Sequence, residues 1–149
     1  MTATTEAPAS TVSAPSLNGV QHLGLTVRDI AVSEAWYTNV FGLVRAFVEP
    51  HSVGDGYAVV MTQPGTRLFF GLDHHPEADS EMFNPRRTGL DHVAFAVASR
   101  EDLDTWISRL DAMGVDHDAL VETAEPLPHA MVVLRDPDGI AIELFWFGG

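Results

Sequence analysis

Gly19-Val-Gln-His-Leu-Gly-Leu-Thr-Val27 and Gly89-Leu-Asp-His-Val-Ala-Phe-Ala-Val97 are two versions of one pattern. Gly, His and the closing Val coincide when residue 19 is laid on residue 89, and Trp36 then falls on Trp106. An internal repeat constrains the fold before any local propensity does. Two copies are too few for a solenoid, but they suffice for a pseudo-symmetric pair of modules.

The residues around each copy predict the same element order. In the first half a strand over about 19–27 precedes Asp29, a helix N-cap. The helix carries apolar Val32, Trp36 and Val40 and ends at Gly42. Apolar runs near 43–49, 57–63 and 67–73 follow, separated by Gly54-Asp-Gly56 and Pro64-Gly65. In the second half the strand is 90–97, and Ser99 and Asp102 have capping-box spacing. Leu103, Trp106, Ile107, Leu110 and Met113 mark one helical face, closed by Gly114. Strands near 116–121, 129–135 and 139–146 complete the copy, the last two joined by Asp136-Pro-Asp-Gly139. The expected fold is α+β, with two βαβββ modules at 19–75 and 89–149 and a linker at 76–88. Residues 1–18, rich in Ala, Thr, Ser and Pro, are expected to form a disordered N-terminal tail.

Composition narrows the function. The chain has 149 residues, 46% of them hydrophobic, and no cysteine, which removes thiolate metal sites and thiol catalysis. Twenty-one acidic residues against 8 basic ones give a net charge of −13, which disfavours nucleic acid and favours cationic ligands. No apolar run reaches the roughly 20 residues that span a bilayer. The first residues lack the basic and apolar regions of a secretory signal, so the cytoplasm is the expected location.

Strand side chains alternate between two faces. Leu23, Leu25 and Val27 share one face of the first strand, as Val93, Phe95 and Val97 do in the repeat, and these faces are expected to pack against helices. The opposite faces hold His22 beside Gly24, and His92 beside Ala94. A histidine among small residues suggests a concave surface with room above it. Glu143 is the sole charge between Ile140 and Phe145, and a buried carboxylate needs a partner. His22, His92 and Glu143 together form a 2-His-1-carboxylate set. Such a set leaves open positions on one divalent metal ion, Fe, Mn, Ni or Zn.

The repeated βαβββ unit, the strand-borne His22 and His92, and the ending Asp136-Pro-Asp-Gly-Ile-Ala-Ile-Glu-Leu144 resemble the vicinal oxygen chelate superfamily. Glyoxalases, extradiol dioxygenases and bleomycin resistance proteins belong to it. The resemblance covers residues 19–147. It implies paired modules that form a curved, cradle-like mixed sheet with helices on the outer face, around one metal held by His22, His92 and Glu143. It also implies a small-molecule substrate and a homodimer. The fourth family ligand position falls on Gly71, which has no side chain to offer. That departure puts glyoxalase and epimerase chemistry in doubt and matches the three ligands of the dioxygenases, although those enzymes usually have longer chains. Asp73, His74 or His75 are candidate substitutes. The implied function is a metal-dependent dioxygenase, lyase or isomerase. The alternative is a metal-free, bleomycin-resistance-like protein that binds a cationic ligand.

Tyr57 and His129 begin the third strand of each module and are read as equivalent candidates for catalytic acid or base. Phe69, Gly71, Met131 and Phe145 are candidate substrate-lining residues. Arg67, Arg86 and Arg87 are available to an anionic group, and Trp36 and Trp106 are expected in the core. His51 and His117 fit no pattern.

Overall fold

A computed structural model of the chain describes residues 14–78 and 81–148. The expected tail therefore lies outside the described residues up to position 13, and residues 14–18 are exposed coil. The element order is β1 (Leu23–Thr26), α1 (Ile30–Phe41), β2 (Val44–Pro50), β3 (Tyr57–Thr62), β4 (Phe69–His74), then β5 (His92–Ala96), α2 (Arg100–Met113), β6 (Val121–Thr123), β7 (His129–Arg135) and β8 (Ala141–Phe147). This is the duplicated βαβββ order. The strands form two four-stranded mixed sheets, ordered β1-β4-β3-β2 and β5-β8-β7-β6. In each, the first and last strands of the module run parallel and the other pairs antiparallel.

The helix ends lie where the capping residues place them. The Asp29 carboxylate accepts from the N–H groups of Ala31 (2.8 Å) and Val32 (3.1 Å), and Ser99 Oγ accepts from Asp102 N–H (3.0 Å). Gly42 and Gly114 close the helices in the left-handed region, at φ 67° and 65°. That conformation strains any residue with a Cβ.

Three details differ from the sequence reading. The strand expected at 116–121 is replaced by β6 at 121–123, and His117 makes only an isolated bridge to Leu134. Val32 is 52% exposed, while polar Ser33 beside it is buried, its hydroxyl donating to Asp138 (3.3 Å) in the other module. The third is a shift in strand equivalence. Val60 lies opposite Gly71, and Val133 lies opposite Glu143. His129 therefore corresponds to Gly56 and Tyr57 to Ala130, one residue away from the expected match. The connection from β3 to β4 spans 63–68 and that from β7 to β8 spans 136–140, and this extra residue shifts the register.

Both modules turn their packing faces into one core. Leu25, Val27, Tyr37, Phe41, Phe70 and Leu72 share it with Val93, Leu103, Leu110, Ile142 and Leu144. Phe41 joins the halves, edge-on to Phe95 at 5.5 Å and tilted on Trp106 at 5.7 Å between ring centroids. Two polar clamps reinforce the junction. Arg109 on α2 donates to the carbonyls of Val40 (3.1 Å) and Asn39 (2.7 Å), which lack partners at the end of α1. The Asp136–Gly139 turn is gripped from module one, with Arg28 Nε donating to Asp138 (2.6 Å) and the Tyr37 hydroxyl donating to Asp136 (2.9 Å). Both aspartates are only 5% exposed, and burial raises the pKa of the Asp136 carboxyl and the Tyr37 hydroxyl above their ordinary values.

Candidate metal centre

With the packing faces shared, the cavity faces of the two sheets point away from the core. Parity holds on both. Gly24 lies opposite Gly71 between β1 and β4, and Ala94 opposite Glu143 between β5 and β8, so Gly71 and Glu143 are equivalent positions. On module two, His92 Nε2 lies 3.8 Å from Glu143 Oε2. The His92 side chain is 46% exposed and that of Glu143 only 15%. His92 Nδ1 is bonded to Asp91 Oδ1 at 2.7 Å. That bond, opposed by partial burial and aided by the Glu143 charge, raises the His92 pKa above the ordinary histidine value.

His22 repeats this arrangement on module one. Its Nδ1 contacts the side-chain oxygen of Gln21, the residue matching Asp91. In both histidines the preceding side chain occupies Nδ1 and leaves Nε2 for another partner. Metal-ligating histidines are oriented by this kind of outer-shell bond. The structure thus brings His92 and Glu143 together but leaves His22 on the other module. Among the described residues, the group of three His, Asp or Glu whose ligand atoms lie within 4.8 Å of one another is His51, Asp73 and His75.

The remaining candidates sort by face. His129 is on the cavity face of module two, stacked on Phe145 with ring centroids 5.4 Å apart. Its Nδ1 lies 3.0 Å from the Leu127 carbonyl oxygen, which only accepts, so Nδ1 donates to it and Nε2 is left for another partner. Met131 lies opposite Phe145 on the same face. Phe69 and Gly71 line a cavity of about 810 Å³ on module one, together with His22, Gly24, Glu49, His51 and Asp73. Tyr57 lies opposite His74 and packs against the core, on the face away from that cavity. His75 lines the cavity, whereas the His74 ring is against Tyr57 at 5.1 Å. Arg87 is paired with Glu81, Arg67 is exposed, and Trp36 and Trp106 pack against the core. No helix among the described residues is long and apolar enough to cross a membrane.

Sequence reasoning missed His51. It lies just beyond β2, where its N–H donates to Gly56 O, and its Nε2 is 2.9 Å from Asp73 Oδ1. No periodic signal marks it, because its partner is supplied by β4.

A duplicated βαβββ fold with one histidine immediately before β1, another opening β5 and a carboxylate on the last strand defines a class, and comparison with known proteins identifies it. The chain belongs to the glyoxalase/bleomycin resistance protein/dioxygenase superfamily, whose family model matches residues 19–144. It is 27% identical over 134 residues to the uncharacterized protein YaeR of Escherichia coli (strain K12), covering 87% of this chain and 96% of YaeR. It is 28% identical over 135 residues to the catechol-2,3-dioxygenase of Bacillus subtilis (strain 168), covering 87% of this chain but 43% of that enzyme. The glyoxalase/bleomycin resistance protein/dioxygenase domain of Frankia sp. EAN1pec superposes with a TM-score of 0.75 at 32% identity, covering 89% of this chain and 99% of that one. The fold is also shared with fosfomycin resistance protein FosX of Listeria monocytogenes, solved with Mn(II) and sulfate (TM-score 0.58, 19% identity, coverage 88% and 93%). The superfamily thus includes dioxygenases, and one structure that shares the fold was solved with a divalent metal.

Proposed function

We propose that the protein is a divalent-metal-dependent enzyme acting on a small substrate that chelates through neighbouring oxygens, with dioxygenase, lyase or isomerase chemistry. The observation that carries this reading is the repeated orientation of His22 and His92, with Nε2 of the second facing Glu143. Two ligands on one metal lie about 2.9–3.4 Å apart at ordinary bond lengths and angles. The 3.8 Å between His92 and Glu143 closes to that range with a small side-chain movement. The donors therefore fit Fe, Mn, Ni or Zn.

A bound metal would act as a Lewis acid toward the substrate oxygens. The chain's own groups supply the rest. Phe69 and Gly71 on one cavity face, and Met131 and Phe145 on the other, enclose the substrate and exclude water. The free Nε2 of His129 accepts or returns a proton at the substrate, held in place by Phe145 and the Leu127 carbonyl. Tyr57, packed toward the core, takes no such part in this reading.

Because His22 and the His92–Glu143 pair lie on separate cavity faces, the full set forms in a homodimer, module one of one chain facing module two of its partner. The exposed edge strand β2, with Val44, Phe47 and Val48 at the surface, gives association a physical motive. The test is elemental analysis of protein purified without chelator or affinity tag, alongside His22→Ala, His92→Ala and Glu143→Ala. Each variant is expected to lose one metal equivalent per chain and turnover of catechols, dicarbonyls or acyl thioesters. Mixing His22→Ala with Glu143→Ala chains should restore one intact site per heterodimer. Unchanged metal content in His92→Ala overturns the reading. Protein that takes up no metal, yet binds a cationic ligand, points to a metal-free binding protein instead.

A further inference from the structure

We propose that module one carries a second divalent-cation site, formed by His51, Asp73 and His75 and separate from the His22, His92 and Glu143 set. The ligand atoms of these three residues already lie within 4.8 Å of one another. His51 Nε2 and Asp73 Oδ1 are 2.9 Å apart, inside the range for two ligands on one first-row metal ion. The His75 ring lies 4.6 Å from the His51 ring, on the turn that follows β4. Two of the three ligand side chains are about four-fifths shielded from solvent, and all three border the module-one cavity.

Three glycines make the room. A Cβ on Gly24 would come within 2.7 Å of Asp73 Oδ2, and one on Gly71 within 3.2 Å. A Cβ on Gly56 would collide with His51 Nδ1 and lie 2.7 Å from the His74 carbonyl oxygen. Module two has none of this. Ala94 replaces Gly24, Glu143 replaces Gly71, His129 replaces Gly56, and Phe145 stands where Asp73 does. The glycine that removes the fourth ligand from one site therefore provides space for the carboxylate of another.

Two imidazoles and one carboxylate select a borderline transition ion such as Zn(II), Co(II) or Ni(II) over Mg(II) or Ca(II), which prefer all-oxygen sites. On binding, the hydrogen bond from His51 Nε2 to Asp73 breaks, the Nε2 proton moves to Nδ1 or is released to water, and the ion takes one lone pair from each of the three side chains. The site's occupancy is independent of the catalytic reading, and its test uses binding alone.

Metal-free protein is titrated with Zn(II) by calorimetry and with Co(II) by visible absorption. The proteins compared are the unsubstituted chain, His51→Ala/His75→Ala and His92→Ala/Glu143→Ala. The unsubstituted chain is expected to bind two ions per chain and each double variant one. Removing His51 and His75 should weaken their site by at least about a hundredfold, since even outer-shell changes cost 10–100-fold. A His51→Gln/His75→Gln protein, with metal-free melting temperature matched to the unsubstituted chain, controls for misfolding. If the His51/His75 variants bind Zn(II) with unchanged stoichiometry and affinity, the second site is overturned. If one ion binds, is lost with His51 and His75 and survives loss of His92 and Glu143, the second site stands and the proposed catalytic set falls. The reverse pattern overturns the second site alone.

Discussion

Module one and module two share an element order, a packing face and a histidine at the start of the first strand, yet little else on their cavity faces. Leu25 and Phe95, and Leu72 and Leu144, occupy matching strand positions in a single core. On the opposite face of each sheet, Ala94, Glu143 and Phe145 of module two stand at the positions of Gly24, Gly71 and Asp73. The difference teaches which constraint acts where. The packing face must fill a shared interior at close-packed density, so bulky apolar residues persist in both copies. The cavity face meets solvent and ligands, and there each module has its own polar set.

Shared packing makes the strongest claim, that two modules fold as one unit. Phe41→Ala tests it, because Phe41 is 5% exposed and touches Phe95 and Trp106 across the junction. The expected loss is about 3–5 kcal/mol by urea denaturation. Tryptophan fluorescence and far-UV circular dichroism should still report one transition. Two separated transitions would show that the modules fold independently.

The polar clamp at Asp136–Gly139 is the next largest effect. Asp136→Asn leaves the Tyr37 hydroxyl and two backbone N–H groups with altered partners, at a cost of about 1–3 kcal/mol. Burial raises the Asp136 pKa in the folded state, so the unfolded chain releases this proton first. The carboxyl's contribution is full below its unfolded value of about 3.9 and is lost as pH rises through the raised folded value. The stability advantage of the unsubstituted protein over Asp136→Asn should therefore shrink as pH climbs from about 4. An advantage that grows with pH would mean that the folded carboxyl is stabilised as the anion.

What the sequence makes legible follows the same division. Caps at Asp29 and Ser99, stops at Gly42 and Gly114, and alternation along β1, β5 and β8 are local signals, and the elements form where these signals lie. The equivalence of Gly71 and Glu143 is legible because parity is a backbone property. Contacts supplied by a distant strand are not. His51 acquires meaning only from Asp73, 22 residues away, and the buried hydroxyl of Ser33 finds its partner in Asp138 of the other module. Tyr57 and His129 look equivalent in sequence, but one extra residue between β3 and β4 turns Tyr57 to the core and leaves His129 in the cavity.

The smallest expected effect discriminates most finely between the modules. Gly24→Ala and Ala94→Gly exchange the residue types at one repeated position. Ala94→Gly should cost about 0.5–1 kcal/mol from backbone entropy in a strand. Gly24→Ala gains that entropy term but places its Cβ 2.7 Å from Asp73 Oδ2, so the carboxylate must swing away and release His51. The lost hydrogen bond is worth about 0.5–1.5 kcal/mol, so the two terms nearly cancel and stability changes little. Cation binding should not cancel. Gly24→Ala is expected to weaken Zn(II) binding at His51, Asp73 and His75 about tenfold or more, as loss of an outer-shell constraint does, and Ala94→Gly should leave it unchanged. Equal Zn(II) affinity in the two variants would mean that the small residue at position 24 is not what seats Asp73, and the contrast between the cavity faces would need another cause.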